Sequence, residues 1–466
     1  MYSLCSFIGS SYLATPLTNT IPSFRPPIFH GNHFRMIDRH SSNFGVNALQ
    51  MKNIFSAEWT NLLSPDSNIV PPRKIEPPRS GAVTFSTRDE TKLFTFGGYA
   101  EEESSIGTPP DRYVVNDLWT FHPYKESSAS PWGWTKIDQH DRSYVPGPRL
   151  ATAIAVLPCQ SQPSAVLLGG WDPQEPGTGG IILDDVSVLD LDALQWSQPR
   201  LVEPADKVMT IPDGPTSRHV AVPVCFKKSA GQEAEEAILL HNHRCEDHVF
   251  LLSLSANENT NEKNDKFRGQ WKRQTTNGDA PSSRGLHCAI QLNDPKSNLS
   301  KSVVLFGGAA KDGTMSNEAF VLDLSSWKWS KLDCSGDKPS PRAGACLCEL
   351  DENTVILFGG AERGDQGLVG LNDVWSLNIN IATGTGVWTC LIENESVDGE
   401  KLDASRPPGR NAATLTRMNA QSLLPKDLLC RNSSEGKNDA YFLLQGGWNP
   451  FRKTFDDVFV LRVASK

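Results

Sequence analysis

The sequence has no excess of basic charge. Its 466 residues carry 45 Lys and Arg against 54 Asp and Glu, a formal net charge of -9. A chain that grips nucleic acid or an anionic membrane over a broad surface needs the opposite balance, so neither is expected as a partner. No apolar run approaches the ~20 residues needed to span a bilayer. Cysteine is sparse: ten residues are scattered from Cys5 to Cys430 without a dense framework, which argues against a disulfide-stapled fold and suits reduced thiols. A Gly-rich phosphate loop, a nucleophile elbow and a zinc-protease motif are all missing, and nothing implies a cofactor.

Acidic residues are also missing from one stretch. Residues 1–54 contain only Asp38 against Arg25, Arg35, Arg39 and Lys52, and they are rich in Ser. That composition resembles an organelle transit peptide. The favoured reading is plainer: a disordered tail, or a start placed too early, with Met36 or Met51 the true one. A cytoplasmic protein is expected, with a plastid or mitochondrion as the alternative if the segment targets. The sequons at Asn298, Asn394 and Asn432 would matter only in a secreted protein.

Glycine (36) and proline (32) are plentiful, and they fall in a repeating order. Four signals recur. A Pro-rich turn ends in Arg before a small or apolar run, at Arg79, Arg149, Arg218, Arg284, Arg342 and Arg410. A short apolar run then closes on two glycines, as in LFTFGG, AVLLGG, VVLFGG, VILFGG and FLLQGG. The third copy reads AILLHN, with His241 and Asn242 in place of the glycines. Next comes an acidic residue ahead of another strand: Asp117, Asp185, Asp247, Glu318, Asp373 and Asp457. A Trp finally opens a half-polar strand at Trp134, Trp196, Trp271, Trp329 and Trp388, and a sixth, Trp59, precedes the first Arg turn. Continuous apolar runs of four or five residues suit strands buried on both faces. Paired glycines suit a strand end that turns at positive φ or meets another backbone.

Six ordered copies of this signature, over residues 55–464, resemble the kelch family. The resemblance implies an all-β fold: a six-bladed β-propeller with four antiparallel strands per blade and blade turns starting near 76, 146, 215, 281, 339 and 407. The sixth unit ends without its Trp strand, so residues around Trp59 are expected to supply the outer strand of the last blade. The expected division is a disordered or targeting segment, 1–54, followed by one propeller, 55–466. Spacings of 70, 69, 66, 58 and 68 between Arg turns exceed the family's usual repeat of about 50, so several loops carry insertions.

With strands a to d running up and down, the b–c and d–a connections share one face. The insertions 99–114, 171–183 and 361–370 lie there, and function concentrates in loops held by a rigid scaffold. For kelch propellers this implies partner binding, and Trp171, Arg363, Trp448, Arg452 and Tyr99 are the candidate contacts. A monomer that binds a protein partner is expected. The six arginines have two readings. They could form a cationic funnel for a carboxylate or phosphate. They could instead each pair with an acidic residue or backbone carbonyl in a nearby blade; the third signal supplies one carboxylate per blade, and the one-to-one match favours this for most of them. The repeating Trp residues read as packing between blades.

The third copy gathers His241, His243, Cys245 and His248. Three imidazoles and a thiol can ligate a metal, but the spacing matches no standard site, and a polar turn is the favoured reading. Cys346 and Cys348 alternate along a strand and read as packing. Among kelch catalysts, the plant specifier proteins carry an iron site patterned Glu-x3-Asp-x3-His. The nearest match here, Glu435 with Asp439, meets Leu443 where the His would stand. A galactose-oxidase type of copper site is not recognisable among the seven tyrosines. Binding or isomerisation of a small anionic metabolite or sugar in the funnel, as in sugar-acid mutarotases, is kept as the alternative to a protein-binding scaffold.

Overall fold

The structure is a computed structural model. It describes residues 55–465 except 65–69, 105–109, 126–131, 141, 158–162, 175–178, 202–209, 228–232, 257–265, 298, 366, 396–403, 430–438 and 451–452. Within the described residues the chain is all-β apart from two helical turns, Ala420–Leu423 and Lys426–Leu429. No described helix is long and apolar enough to cross a membrane.

The apolar runs form the second strand of each large sheet. Leu93–Phe96, Thr354–Phe358 and Ala440–Gln445 are buried at every position. A strand hidden on both faces needs no alternation, which is why these segments read as unbroken apolar runs. Among the described residues six sheets have four or five strands. Their first strands are Val83–Ser86, Ala153–Val156, Val220–Phe226, Cys288–Asn293, Cys346–Asp351 and Thr414–Met418. Each touches the next in chain order, and Thr414–Met418 touches Val83–Ser86. Thr414 Oγ1 donates to Thr84 Oγ1 at 2.7 Å across that last junction. The arrangement is propeller-like.

The core sits between neighbouring sheets. Each apolar cluster draws its buried residues from two adjacent sheets, and the clusters follow one another around the circuit. The repeating Trp residues supply much of this packing. Trp196 of the second sheet lies 5.0 Å from Phe96 of the first, and Trp388 of the fifth lies 5.1 Å from Phe306 of the fourth. The last junction follows the same rule with a strand from the other end of the chain. Phe55–Asn61 pairs antiparallel with Val458–Ser465, Trp59 opposite Leu461, and the Trp59 ring stands edge-on 5.0 Å from Phe358 of the fifth sheet.

The linkers between sheets also bind them. Arg200–Leu201, Asn277–Gly278 and Asp333–Ser335 each leave one sheet and run parallel to the outer strand of the next. That fifth strand fastens consecutive sheets along their rims.

Candidate protein-interaction face

The Arg turns organise one end of every sheet but the third. Arg342 donates to both carboxylate oxygens of Asp373 at 2.6 and 2.8 Å, and to the carbonyl of Gly359 at 3.0 Å. Arg410 repeats this with Asp457 and Gly446, Arg149 with Asp185 and Gly169, and Arg79 with Asp117 and Gly97. Arg284 reaches Glu318 at 3.1 Å and the carbonyl of Gly307 at 3.1 Å. These five arginines are at most 3% exposed. Burial pushes the Asp117 carboxyl up, but the Arg79 guanidinium, the Trp119 indole and Lys136 together hold the group below its ordinary value. Glu318 is lowered to about 2, first by its hydrogen bond to Lys331 and then by Arg284. Each pair lies within its own sheet rather than between sheets.

The link to the neighbour is made by backbone. The second glycine of a pair donates its N–H to the carbonyl of the next sheet's Arg, as Gly98 does to Arg149 and Gly360 to Arg410, both at 2.9 Å. The approach is too close for a side chain on the first glycine. A Cβ on Gly97, at φ +68°, would stand 2.8 Å from the Arg149 carbonyl oxygen.

Two residues beyond each Arg, the chain enters positive φ and forms a closed circle. Gly81 N–H donates to Ala412 O, Ala412 to Gly344, Gly344 to Leu286, Leu286 to Arg218, Arg218 to Ala151 and Ala151 to Gly81, at 2.8–3.3 Å. All six have φ between +49° and +66°. This circle corrects the sequence register. Arg218 is a member of the circle, so the third sheet's counterpart of the paired arginines is Thr216, whose carbonyl accepts from Gly170 N–H at 2.9 Å. Asp247 accordingly turns to Arg273 and His248, at 3.2 and 2.7 Å. Pro215 stands immediately before Thr216, as Pro78, Pro148 and Pro341 stand before Arg79, Arg149 and Arg342. That spacing was the available signal.

The third sheet's His/Cys segment is dispersed. His241 Nδ1 lies 3.0 Å from Nε2 of His287 in the fourth sheet, Cys245 is buried against Asn242, His243 is exposed, and His248 binds Asp247. No group of three or more possible metal ligands forms among the described residues. Burial pushes the Cys245 thiol up to about 11 and the Cys346 thiol up to about 12. Cys346 and Cys348 donate to the carbonyls of Ala413 and Leu415 in the sixth sheet. Asp439 is held by Arg462 at 2.6 Å, and Leu443 is in the core.

The model for the KLHDC2/KLHL20/DRC7 Kelch-repeats domain matches residues 254–420. The chain carries kelch repeats. It is 29% identical over 113 residues to the tRNA wybutosine-synthesizing protein 4 of Aspergillus fumigatus, covering 23% of this chain and 10% of that one. It is 38% identical over 97 residues to Dynein regulatory complex subunit 7 of Chlamydomonas reinhardtii, covering 20% and 8%. With the Acyl-CoA-binding domain-containing protein 4 of Arabidopsis thaliana it shares 26% identity over 190 residues, 40% and 24% of the two chains. The matched segments thus span no more than a quarter of the length of these relatives. The solved chain titled "Structure of YjhT" aligns with 72% of this chain and 91% of its own, at 15% identity and a TM-score of 0.42, a likeness too loose to carry an argument.

Kelch repeats generally mediate protein–protein interaction. The candidate contacts of this kelch chain divide on inspection. Arg363 is exposed in the ribbon formed by Ala361–Gly364 and Gly367–Gly370. Trp171 is half-buried, with its indole donating to the Gly179 carbonyl at 3.1 Å. Tyr99 is half-buried in the sheet of Arg79–Ser80, Tyr99–Glu102 and Asp111–Val114. Trp448 is only 5% exposed, and its backbone forms an antiparallel bridge with Asn411. Arg452 lies outside the described residues. Sequence reasoning missed the side chains that do stand out. Val70, Tyr113, Ile181, Ile182 and Val369 are the exposed large apolar residues among those described; the last four lie in b–c hairpins, and Val70 lies in the linker beside Trp132.

Proposed function

We propose that residues 55–466 form one six-bladed kelch propeller that acts as a scaffold, binding a protein partner through its b–c and d–a face. The observation that carries the reading is the one-sided distribution of exposed apolar residues. Tyr113, Ile181, Ile182 and Val369 are each at least 39% exposed and share that face, while Val70 lies beside Trp132 at the other end of the first sheet. Exposed apolar groups on a polar rim mark interaction sites when they gather on one side of a molecule. The six sheets and the circuit of their inner strands support the blade count. The anionic-metabolite reading loses its anchor, because Arg79, Arg149, Arg284, Arg342 and Arg410 are buried against carboxylates. Cytoplasmic residence and a monomeric ring belong to the same proposal.

The test is an affinity capture from the native cell extract with the full chain. A Tyr113→Ser, Ile182→Ser, Val369→Ser variant of unchanged melting temperature is compared with Lys301→Ser, Glu352→Ser on the opposite face. A protein lost by the first variant and kept by the second is expected. Equal retention by both would remove the face assignment.

A further inference from the structure

We infer that the partner offers this face a basic segment in which apolar side chains stand among Lys and Arg residues. The inference rests on the docking face proposed above and adds its chemistry.

The b–c connections of the fifth, sixth, first and second sheets, 361–372, 448–456, 99–116 and 171–184, are neighbours around the circuit. Gly367–Gly370 touches Trp448–Asn449, and Thr454 Oγ1 donates to Glu101 at 2.9 Å, joining the fifth ribbon to the sixth and the sixth to the first. Together the described residues of the four connections hold nine Asp or Glu against three Lys or Arg, a net charge of -6 against the whole chain's -9. Part of it is answered within the molecule: Arg112 binds Glu101 at 2.8 Å, the Tyr113 hydroxyl binds Glu102 at 2.6 Å, and Lys74 binds Asp456. Glu103, Asp111 and Asp365 remain exposed. Four exposed apolar side chains, Tyr113, Ile181, Ile182 and Val369, are set among these carboxylates. An acidic or neutral partner would bury the apolar groups only by crowding like charges or stripping water from unanswered ones. A basic segment gains long-range attraction from the same charges, and its apolar residues meet Tyr113 and the isoleucines at contact.

The probe is a displayed random-peptide library panned on the immobilised full chain. Enriched peptides should carry net positive charge with apolar residues between, and bind at least about tenfold more weakly when ionic strength rises from about 0.05 to about 0.5 M. A Glu103→Lys, Asp111→Lys, Asp365→Lys variant of unchanged melting temperature should lose them, and so should the Tyr113→Ser, Ile182→Ser, Val369→Ser variant. Acidic or uncharged peptides that still depend on Tyr113 and Ile182 would overturn the basic chemistry and leave the docking face standing. Peptides indifferent to both variants, or no enrichment, would overturn both readings. An Arg25→Ala, Arg35→Ala, Arg39→Ala full chain that binds the basic peptides at least tenfold more tightly would assign the face to the chain's own basic segment and overturn the partner.

Discussion

Mild acid should loosen the ring through three histidines. His219, His241 and His287 are buried where the second, third and fourth sheets meet. Burial holds His219 down to about 4 and His241 down to about 3, and it lowers His287 far below the ordinary value, with His241 and Arg284 adding like-charge repulsion. Among the described residues the outer nitrogens, Nε2 of His241 and Nδ1 of His287, meet no protein acceptor that could share an added proton. All three are therefore neutral in the folded chain, whereas in the unfolded chain each takes up a proton near pH 6.5. The folded values lie below the unfolded one, so the stability tied to neutral imidazole is present above about pH 6.5 and drains away as pH falls toward the folded values. At about pH 5.5 the unfolded chain gains about 1.4 kcal/mol per histidine, or about 4 kcal/mol for three. For a chain of this size that corresponds to a fall in Tm of roughly 5 °C between about pH 7.5 and 5.5. Calorimetry at the two pH values measures it directly. A His241→Gln, His287→Gln variant should show only about a third of the drop. An unchanged Tm, or an equal drop in the variant, would refute the argument that these imidazoles are locked neutral.

Other consequences can be tested by unfolding. Asp373→Ala strands the Arg342 charge in the core and should cost about 3–5 kcal/mol; Asp247→Ala, which loses bonds to His248 and the exposed Arg273 but strands no buried guanidinium, should lower the denaturant midpoint far less. Trp59→Ala should cost about 3–5 kcal/mol by emptying the junction beside Phe358, while removal of residues 1–50 should leave Tm where it is; equal losses would contradict the closure by Phe55–Asn61. Gly169→Ala would place a Cβ 2.5 Å from the Thr216 carbonyl at φ +49°. It should destabilise by about 1–3 kcal/mol in urea melts.

The repeating framework was legible because it is written in features that physics makes local. An apolar run without alternation can only be a strand covered on both faces, and a glycine pair after it marks a backbone approach. The register of the third unit was not legible from Arg alone. Arg218 satisfied the Pro-x-x-Arg pattern, but the position is defined by a hydrogen bond from Gly170 to a backbone carbonyl, to which the side chain is irrelevant. Three departures belong together there: Thr216 for Arg, His241 and Asn242 for the glycines, and an outward Asp247. Without an arginine at 216, Asp247 has no buried guanidinium to meet. The proposed docking face was legible in outline only. Trp448 follows its glycines as Trp171 does, yet it is buried, while Ile181, Ile182 and Val369 look in sequence like ordinary strand residues. Whether a ribbon residue faces the scaffold or the solvent is decided by the neighbouring ribbon, which a linear pattern does not contain.

The pairing of Phe55 with Ser465 has a consequence for how the chain is made. The two strands that lock the ring are 410 residues apart. At roughly 5–20 residues per second, the strand carrying Trp59 leaves the ribosome roughly 20–80 s before its partner exists. Throughout that interval its backbone edge waits uncovered, open to pairing with another chain. Nascent rings are thus most exposed to aggregation and to chaperones before the last strand arrives, and the most distant contact in the sequence is the last that can form.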